Sequence, residues 1–271
     1  MNSDAMLPAW IWMWLLAIAI YGVCKIASWS TCTVAAPTWK HVAYLVAWPG
    51  MDCDAFLSTS NAARQPVSAT EWLFSFAKFG LGIALMYGAA IELSDAHVLL
   101  RGWTGMIGIV LTLHFGLFHV MSCAWRSVGV AATPLMNWPV LSESATEFWG
   151  RRWNLAFRDL THRLLFIPLK SILGPAGALL AGFAVSGLVH DLVISGPGGA
   201  GWGLPTLYFV LQGAGLLFER SRFGRASGLG TGSVGRLYCF AIIALPSPLL
   251  LHPPFVNNVI VPFLTAIGGA V

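Results

Sequence analysis

Charge is what this sequence has least of. Asp, Glu, Lys and Arg make up 10% of its 271 residues, where an ordinary soluble domain carries roughly a quarter. With 57% hydrophobic residues and a mean hydropathy of +0.73, that shortage excludes a soluble globule and points to an all-α polytopic membrane protein. Basic blocks are missing too: the longest is the pair Arg151–Arg152, and the net charge is only +4. No nucleic-acid footprint exists, so no nucleic-acid partner is expected. The five cysteines (24, 32, 53, 123 and 239) are odd in number, scattered and never in a CxxC. They form neither a disulfide framework nor a zinc site and read as packing thiols, with no metal expected. There is no G-x-S-x-G, which removes the usual nucleophile elbow, and no P-loop or HExxH. One literal G-x-G-x-x-G runs from Gly230 to Gly235. It follows no predicted strand and leads into an apolar run, so the dinucleotide reading lacks its strand–turn–helix frame. The N-terminus shows no basic n-region and no small-residue cleavage site, so the first apolar run reads as a retained span, not a signal peptide.

What is present is apolar length. A spanning helix needs about 20 largely apolar residues. Seven segments are expected to span: 7–24, 72–91, 98–121, 174–194, 202–219, 234–251 and 255–270, the last being the weakest. The run 41–49 is too short, and "WPGMDCD" (48–54) reads as a turn-rich acidic loop. No internal repeat is visible, and the whole of 1–271 reads as a single membrane domain. Lys25, Lys40 and Arg64 follow the first span. Arg126, Arg151, Arg152, Arg158, Arg163 and Lys170 follow the third, and Arg220, Arg222, Arg225 and Arg236 follow or border the fifth. The alternate loops hold only Arg101. The positive-inside rule therefore puts the loops 122–173 and 220–235 in the cytoplasm and the N-terminus on the other side. The Ala-, Gly- and Trp-rich composition hints at a bacterial inner membrane.

The scarce charges gather in "FWGRRWN" (148–154). Ser144-x-x-Glu147 is a capping-box pattern, and Pro168 is a plausible stop, so an amphipathic interfacial or re-entrant helix is expected over 144–167. On a helical wheel Trp149, Trp153, Ala156, Leu160, Leu164 and Ile167 share one stripe. Glu147, Arg151, Asn154, Arg158 and His162 fall opposite, with Arg152 between. Two readings compete. The segment is either a snorkelling helix with tryptophans at headgroup level, or one wall of a site with Arg151, Asn154 and Arg158 aimed into a polar cavity. Asn154 favours the second, since a carboxamide orients a reacting group better than it anchors lipid.

The fourth span contains His190 and Asp191. Ionisable residues inside a bilayer are costly and are site hypotheses by default. A plain alternative is a polar pair bonded to a neighbouring helix. One turn apart below His190 lie Ser186, Gly182 and Ala178, a small-xxx-small ridge that lets a backbone or a slender ligand pass closely. Desolvation keeps such an imidazole neutral and able to accept a proton, the state a general base needs. His114 and His119 are five apart and share no helix face; packing or tunnel lining is expected of them. His119 and Cys123 share a face, but two residues do not make a metal site.

Together "FWGRRWN" (148–154), "SGLVHD" (186–191) and "YFVLQGAGLLFER" (208–220) resemble the signature of the wax synthase-like branch of the membrane-bound O-acyltransferases, over about 134–220. "WPGMD" (48–52) and "HPPF" (252–255) extend the likeness. The resemblance implies transfer of an acyl group from acyl-CoA to a hydroxyl acceptor (a fatty alcohol, sterol or other lipophilic alcohol) inside the membrane, with no cofactor. It implies an intramembrane histidine, matched by His190, and a polar partner, matched by Asn154. Arg151, Arg152 and Arg158 would hold phosphates, and Trp149, Trp153, Asp191 and Ser186 would line the substrate site. Two departures stand out: the chain is shorter than many members, and Asp191 stands where plant members usually carry glutamate. Two alternatives remain open, a transporter or channel-like protein with His190 on its permeation path, and a non-catalytic member of the family.

Overall fold

The computed structural model describes residues 7–58, 66–91 and 97–268. Arg64, used above in the charge count, lies outside them. Among the described residues there are helices and no strand. Five helices are long and apolar enough to cross a membrane: α1 Ala9–Ser30, α4 Ala69–Ile91, α5 Val98–Ser127, α6 Leu155–Gly198 and α9 Gly232–Leu250. The short α2 Thr38–Ala47 and α3 Cys53–Leu57 lie between the first two. Two further apolar helices, α7 Leu204–Glu219 and α10 Pro253–Gly268, are shorter than a span, with α8 Arg222–Ala226 following α7. The chain is thus an all-α polytopic membrane protein. Of the seven expected spans, those at 202–219 and 255–270 correspond to the two short helices.

The expected stop at Pro168 is not observed. Ile167 keeps α-helical angles (φ −60, ψ −51), because a π turn over His162–Phe166 precedes it. Such a turn already breaks the hydrogen-bond ladder, so the missing proline N–H costs little. The helical wheel segment and the fourth span therefore run together into the 44 residues of α6. Straight, α6 would measure about 66 Å, twice the hydrocarbon thickness. Gly174, just before Pro175, divides it with φ +69 and ψ 173, the extended ψ that a following proline favours and a φ natural only to glycine. An interfacial limb and a membrane limb result.

Helix pairs close through small residues, as bilayer packing requires. A Cβ on Gly82 would sit 2.4 Å from the Thr112 amide, and one on Gly108 would sit 2.6 Å from that of Met86, so α4 and α5 touch backbone to backbone. In α6 the residue that admits α7 is Gly187, where a Cβ would lie 2.5 Å from Thr206 Cα. Gly182, on the expected ridge, faces open space instead.

The acidic loop after α2 is a docking corner. Lys25, buried on α1, donates to the Gly50 carbonyl and lies 3.3 Å over the Tyr44 ring. Asp52 caps α3 by accepting from the Ala55 amide (3.0 Å). Asp54 accepts from the Thr33 amide (2.8 Å), and this bond holds its carboxyl below the usual carboxylate range. Tyr44, Trp48, Phe56, Ala132 and Ala156 fill the core beneath. A second core, with Ala89, Ile194, Phe255 and Leu264, joins α4, α6 and α10.

Candidate active site

The motif Phe148–Asn154 is not part of a continuous helix. Ser144 starts a single turn, Ala145–Glu147, by accepting from the Glu147 amide (3.0 Å); the Glu147 carboxylate reaches back to the Glu143 amide (2.8 Å). The expected cap is therefore in place. Phe148–Arg152 then forms a π turn, Trp153 is extended, and Asn154 takes the left-handed conformation (φ 44, ψ 60) before α6 begins. Asparagine is one of the few residues that enters this region readily. The loop 135–137 clamps the break, with Leu155 and Asn137 amides donating to the Leu135 and Arg152 carbonyls (3.0 and 2.8 Å) and the Asn154 amide to Met136 Sδ (3.2 Å). This break overturns the wheel that put Arg151, Asn154 and Arg158 on one helical face.

Both tryptophans pack against aromatic rings of neighbouring helices. Trp153 stacks on Phe148 (5.4 Å) and meets Phe115 of α5 (6.0 Å). Trp149 sits edge-on to Phe183 of α6 (5.5 Å) and tilts against Phe209 of α7 (5.9 Å). Its indole N–H donates to Gln212 Oε1 (3.3 Å), and the Gln212 amide donates to the Ile242 carbonyl of α9 (2.8 Å). Glu219 accepts from the amides of Ala145 (2.6 Å) and Thr146 (3.2 Å). Phe209, Gln212 and Glu219 are all buried and lie on one α7 face, which seats the motif. Sequence reasoning passed over Gln212 and Glu219; buried polar residues at helical spacing in an apolar run were the available signal.

His190 ends the regular part of α6, where a π turn over Asp191–Ser195 begins. Its Nδ1 lies 2.7 Å from the Ser186 carbonyl, so Nδ1 carries the proton and Nε2 is bare. The ring lies 4.4 Å from Phe209, which also touches Trp149. One aromatic side chain thus joins the histidine to the tryptophan–arginine motif. Ser186 contributes its backbone carbonyl. Among the described residues the Asn154 carboxamide makes no hydrogen bond.

Asp191 is fully engaged. It accepts from the amides of Gly203 (2.9 Å) and Thr206 (3.1 Å), from Ser195 Oγ (2.9 Å) and from Thr206 Oγ1. It caps the start of α7, where a negative charge is favoured, and no acceptor capacity is left for a ligand. Ser195 also meets His252 Nε2 (3.2 Å), whose Nδ1 accepts from the Phe255 amide (3.2 Å). Asp191, Ser195 and His252 look like a nucleophilic triad by composition. The serine is wholly buried and its hydrogen points to the aspartate, so the set is a brace between α6, α7 and α10.

The arginines divide similarly. Arg152 is tied to Glu147 (2.6 Å) and to the carbonyls of Asn137 and Trp138 (3.2 Å each). Arg158 pairs with Asp159 (2.7 Å) and donates to the Gly150 carbonyl (3.0 Å). The exposed Arg151 guanidinium makes no hydrogen bond or ion pair among the described residues.

Elsewhere α4 and α5 build a second polar cluster. Ligand atoms of Glu71, His119 and Cys123 lie within 4.8 Å of one another. Glu71 is held by Arg126 (2.5 Å) and by His119 (3.1 Å), whose Nδ1 meets Lys78 (2.7 Å). Two cations, Arg126 and Lys78, thus already contact two of these three residues.

The membrane bound O-acyl transferase family matches residues 132–211. Similar relatives include the probable long-chain-alcohol O-fatty-acyltransferase 1 of Arabidopsis thaliana, 36% identical over 41% of this chain and 35% of its own length. The long-chain-alcohol O-fatty-acyltransferase of Simmondsia chinensis is 34% identical over 32% of this chain and 29% of its own. The acyl-CoA–sterol O-acyltransferase 1 of Arabidopsis thaliana is 40% identical over 31% and 29%. The matches therefore span about a third of those relatives' lengths. No solved structure matches the chain. Residues 132–211, which hold both the tryptophan–arginine run and His190, are thus the part of this chain that is similar to the membrane bound O-acyl transferase family and, among its relatives, to long-chain-alcohol O-fatty-acyltransferases.

Proposed function

We propose that the protein moves an acyl group from acyl-CoA to the hydroxyl of a lipophilic alcohol, with His190 as general base. The observation that carries this is the histidine's tautomer: Nδ1–H is spent on the Ser186 carbonyl, which leaves the Nε2 lone pair free against an aromatic wall. Nε2 takes the proton as the alcohol oxygen attacks the thioester carbonyl. The Asn154 carboxamide donates to the oxyanion of the tetrahedral intermediate. Collapse breaks the C–S bond, and the thiolate leaves with the proton returned by the His190 imidazolium. Arg151, the unengaged guanidinium, receives phosphate oxygens of the donor; Arg152 and Arg158 hold the segment that presents it.

The relatives named above act, by their names, on long-chain alcohols or a sterol, and the acceptor proposed here is of that class. The arginine-rich end of the bundle faces the cytoplasm in this reading, by the positive-inside rule. Composition is all that speaks for a bacterial inner membrane; the relatives reported above are plant proteins.

The test uses purified protein in nanodiscs with acyl-CoA of graded length and a long-chain primary alcohol, following thiol release and the ester by mass spectrometry. Ester formation that His190→Ala abolishes in a folded protein supports the proposal. Flux of a solute in liposomes without thiol release would replace it with the permeation reading.

A further inference from the structure

We infer that His114 is a second substrate-contacting residue of this site, donating a hydrogen bond to the acceptor's hydroxyl oxygen while His190 takes its proton. The inference rests on the transferase reading and adds an acceptor subsite to it.

His114 lies in a π turn, Leu111–Leu117, in the middle of α5. The charge of a protonated His190 on α6 would act on it, which puts the two imidazoles within Coulombic range. The next residue, Phe115, meets Trp153 of the tryptophan–arginine motif. The same turn therefore reaches both parts of the site. Five π turns occur among the described residues, and three of them carry or adjoin His114, Phe148–Arg152 and His190. Such turns are rare and often mark functional positions.

The hydrogen-bonding inventory gives His114 its role. Its Nδ1 is sealed from water and has no partner among the described residues. Its Nε2 is not sealed and has no partner either. An orphaned buried N–H is rarer than an under-used buried acceptor, so the bare lone pair belongs on Nδ1 and the proton on Nε2. His114 then presents an Nε2–H donor, where His190 presents an Nε2 acceptor. A hydroxyl needs that combination: one group to receive its hydrogen and one to bond its oxygen. Two acceptors, or two donors, would not orient it. A primary alcohol on a long apolar chain fits, with its chain among the surrounding aromatic rings. The other intramembrane histidine of α5, His119, is excluded, since both its nitrogens are bonded.

The experiment compares His114→Leu, which deletes the donor, with His114→Gln, which keeps one, against a long-chain primary alcohol in nanodiscs. Losing one hydrogen bond to the hydroxyl should raise KM for the alcohol roughly ten-fold in His114→Leu. KM for acyl-CoA and the pH profile of kcat should stay unchanged, and His114→Gln should recover most of the loss. Equal losses for both substrates in a variant with the wild-type thermal midpoint, or an unchanged alcohol KM, would overturn the inference. Equilibrium binding of the alcohol, read by quenching of tryptophan fluorescence in His190→Ala protein, gives a readout without turnover. If that binding weakens on adding His114→Leu while the wild type transfers nothing, the subsite stands and the transferase reading falls. If binding is indifferent to His114→Leu, the subsite falls whatever the turnover.

Discussion

His119 and His190 both lie inside apolar spans, yet their hydrogen-bonding capacity is spent differently. His119 has one nitrogen against Lys78 and the other against Glu71, which Arg126 also holds. Both histidine nitrogens there have partners, and the charges of Glu71 and Arg126 offset each other, although Arg126 Nε is buried without a partner among the described residues. His190 gives one nitrogen to its own helix and keeps the other free beside Phe209. Burial of a histidine in a span therefore does not by itself mark a site. In the reading proposed above, a spare lone pair beside an apolar wall does. The first region is a clamp between α4 and α5; the second is where the proposed chemistry would take place.

The comparison breaks most sharply at its two centres. His190→Ala should lower the transfer rate by about 10³-fold, within the usual range for a general base, with the thermal midpoint in nanodiscs unchanged. Glu71→Ala should do the reverse. It leaves Arg126 buried without its carboxylate, a loss of about 3 kcal/mol, seen as a lower midpoint with near-normal turnover per folded molecule. Loss of turnover in a fully stable Glu71→Ala protein would erase the distinction.

Asn154 sharpens the comparison, because it carries both kinds of reason in one residue. Its left-handed backbone explains an asparagine by conformation alone, and its unbonded carboxamide explains it by chemistry. Asn154→Gly relieves the backbone and deletes the amide, while Asn154→Ala deletes the amide and adds strain of about 1–2 kcal/mol. If the amide serves the oxyanion, both variants lose about 10²-fold or more in kcat and only the alanine variant loses stability. Near-wild-type kcat in the glycine variant would make Asn154 a purely structural choice. Smaller again, Arg151→Gln should raise KM for acyl-CoA several-fold with little change in stability or in KM for the alcohol. Arg152→Gln, which frees Glu147 and two loop carbonyls, should cost stability first. The measurements are steady-state kinetics and thermal scans of the same preparations.

How much of this was legible in the sequence depends on the range of the cause. Apolar runs announce spans because the bilayer sets their length locally, and five of the seven expected spans became full-length helices. The capping box at Ser144 was legible for the same reason. The break at Trp153–Asn154 was not: a helical wheel assumes continuity, and the left-handed turn is fixed by the clamp from Leu135 to Asn137. Pro168 looked like a stop because the π turn that absorbs it depends on tertiary packing. His190 stood out as an ionisable residue deep in a span, and the motif resemblance pointed to the same residue. The engagement of Asp191 was hidden, since its donors come from the loop and helix 12–15 residues later. Gln212 and Glu219 were hidden further, as their partners lie over 60 residues away.

The smallest expected effect tests the scaffold under the motif by pH. Glu147 accepts from the Glu143 amide and pairs with Arg152, and these contacts, the backbone bond first, hold its carboxyl below the usual carboxylate value. In the unfolded chain the group titrates near its ordinary value, about 4.3. A depressed folded value means that the unfolded state binds the proton more readily, so the contribution is fully present above about pH 5 and is lost as pH falls through the folded value. Glu147→Gln cannot gain that contribution at any pH. Wild type and variant should therefore differ most in thermal midpoint near neutrality and converge as the pH drops toward 3, with the residual offset set by the glutamine's own hydrogen bonds. A difference that grows on acidification would have the wrong sign and would mean that Glu147 is no anchor for Arg152. The tryptophan–arginine run would then be held by Gln212, Glu219 and the 135–137 clamp, with Arg152 kept in place by the Asn137 and Trp138 carbonyls.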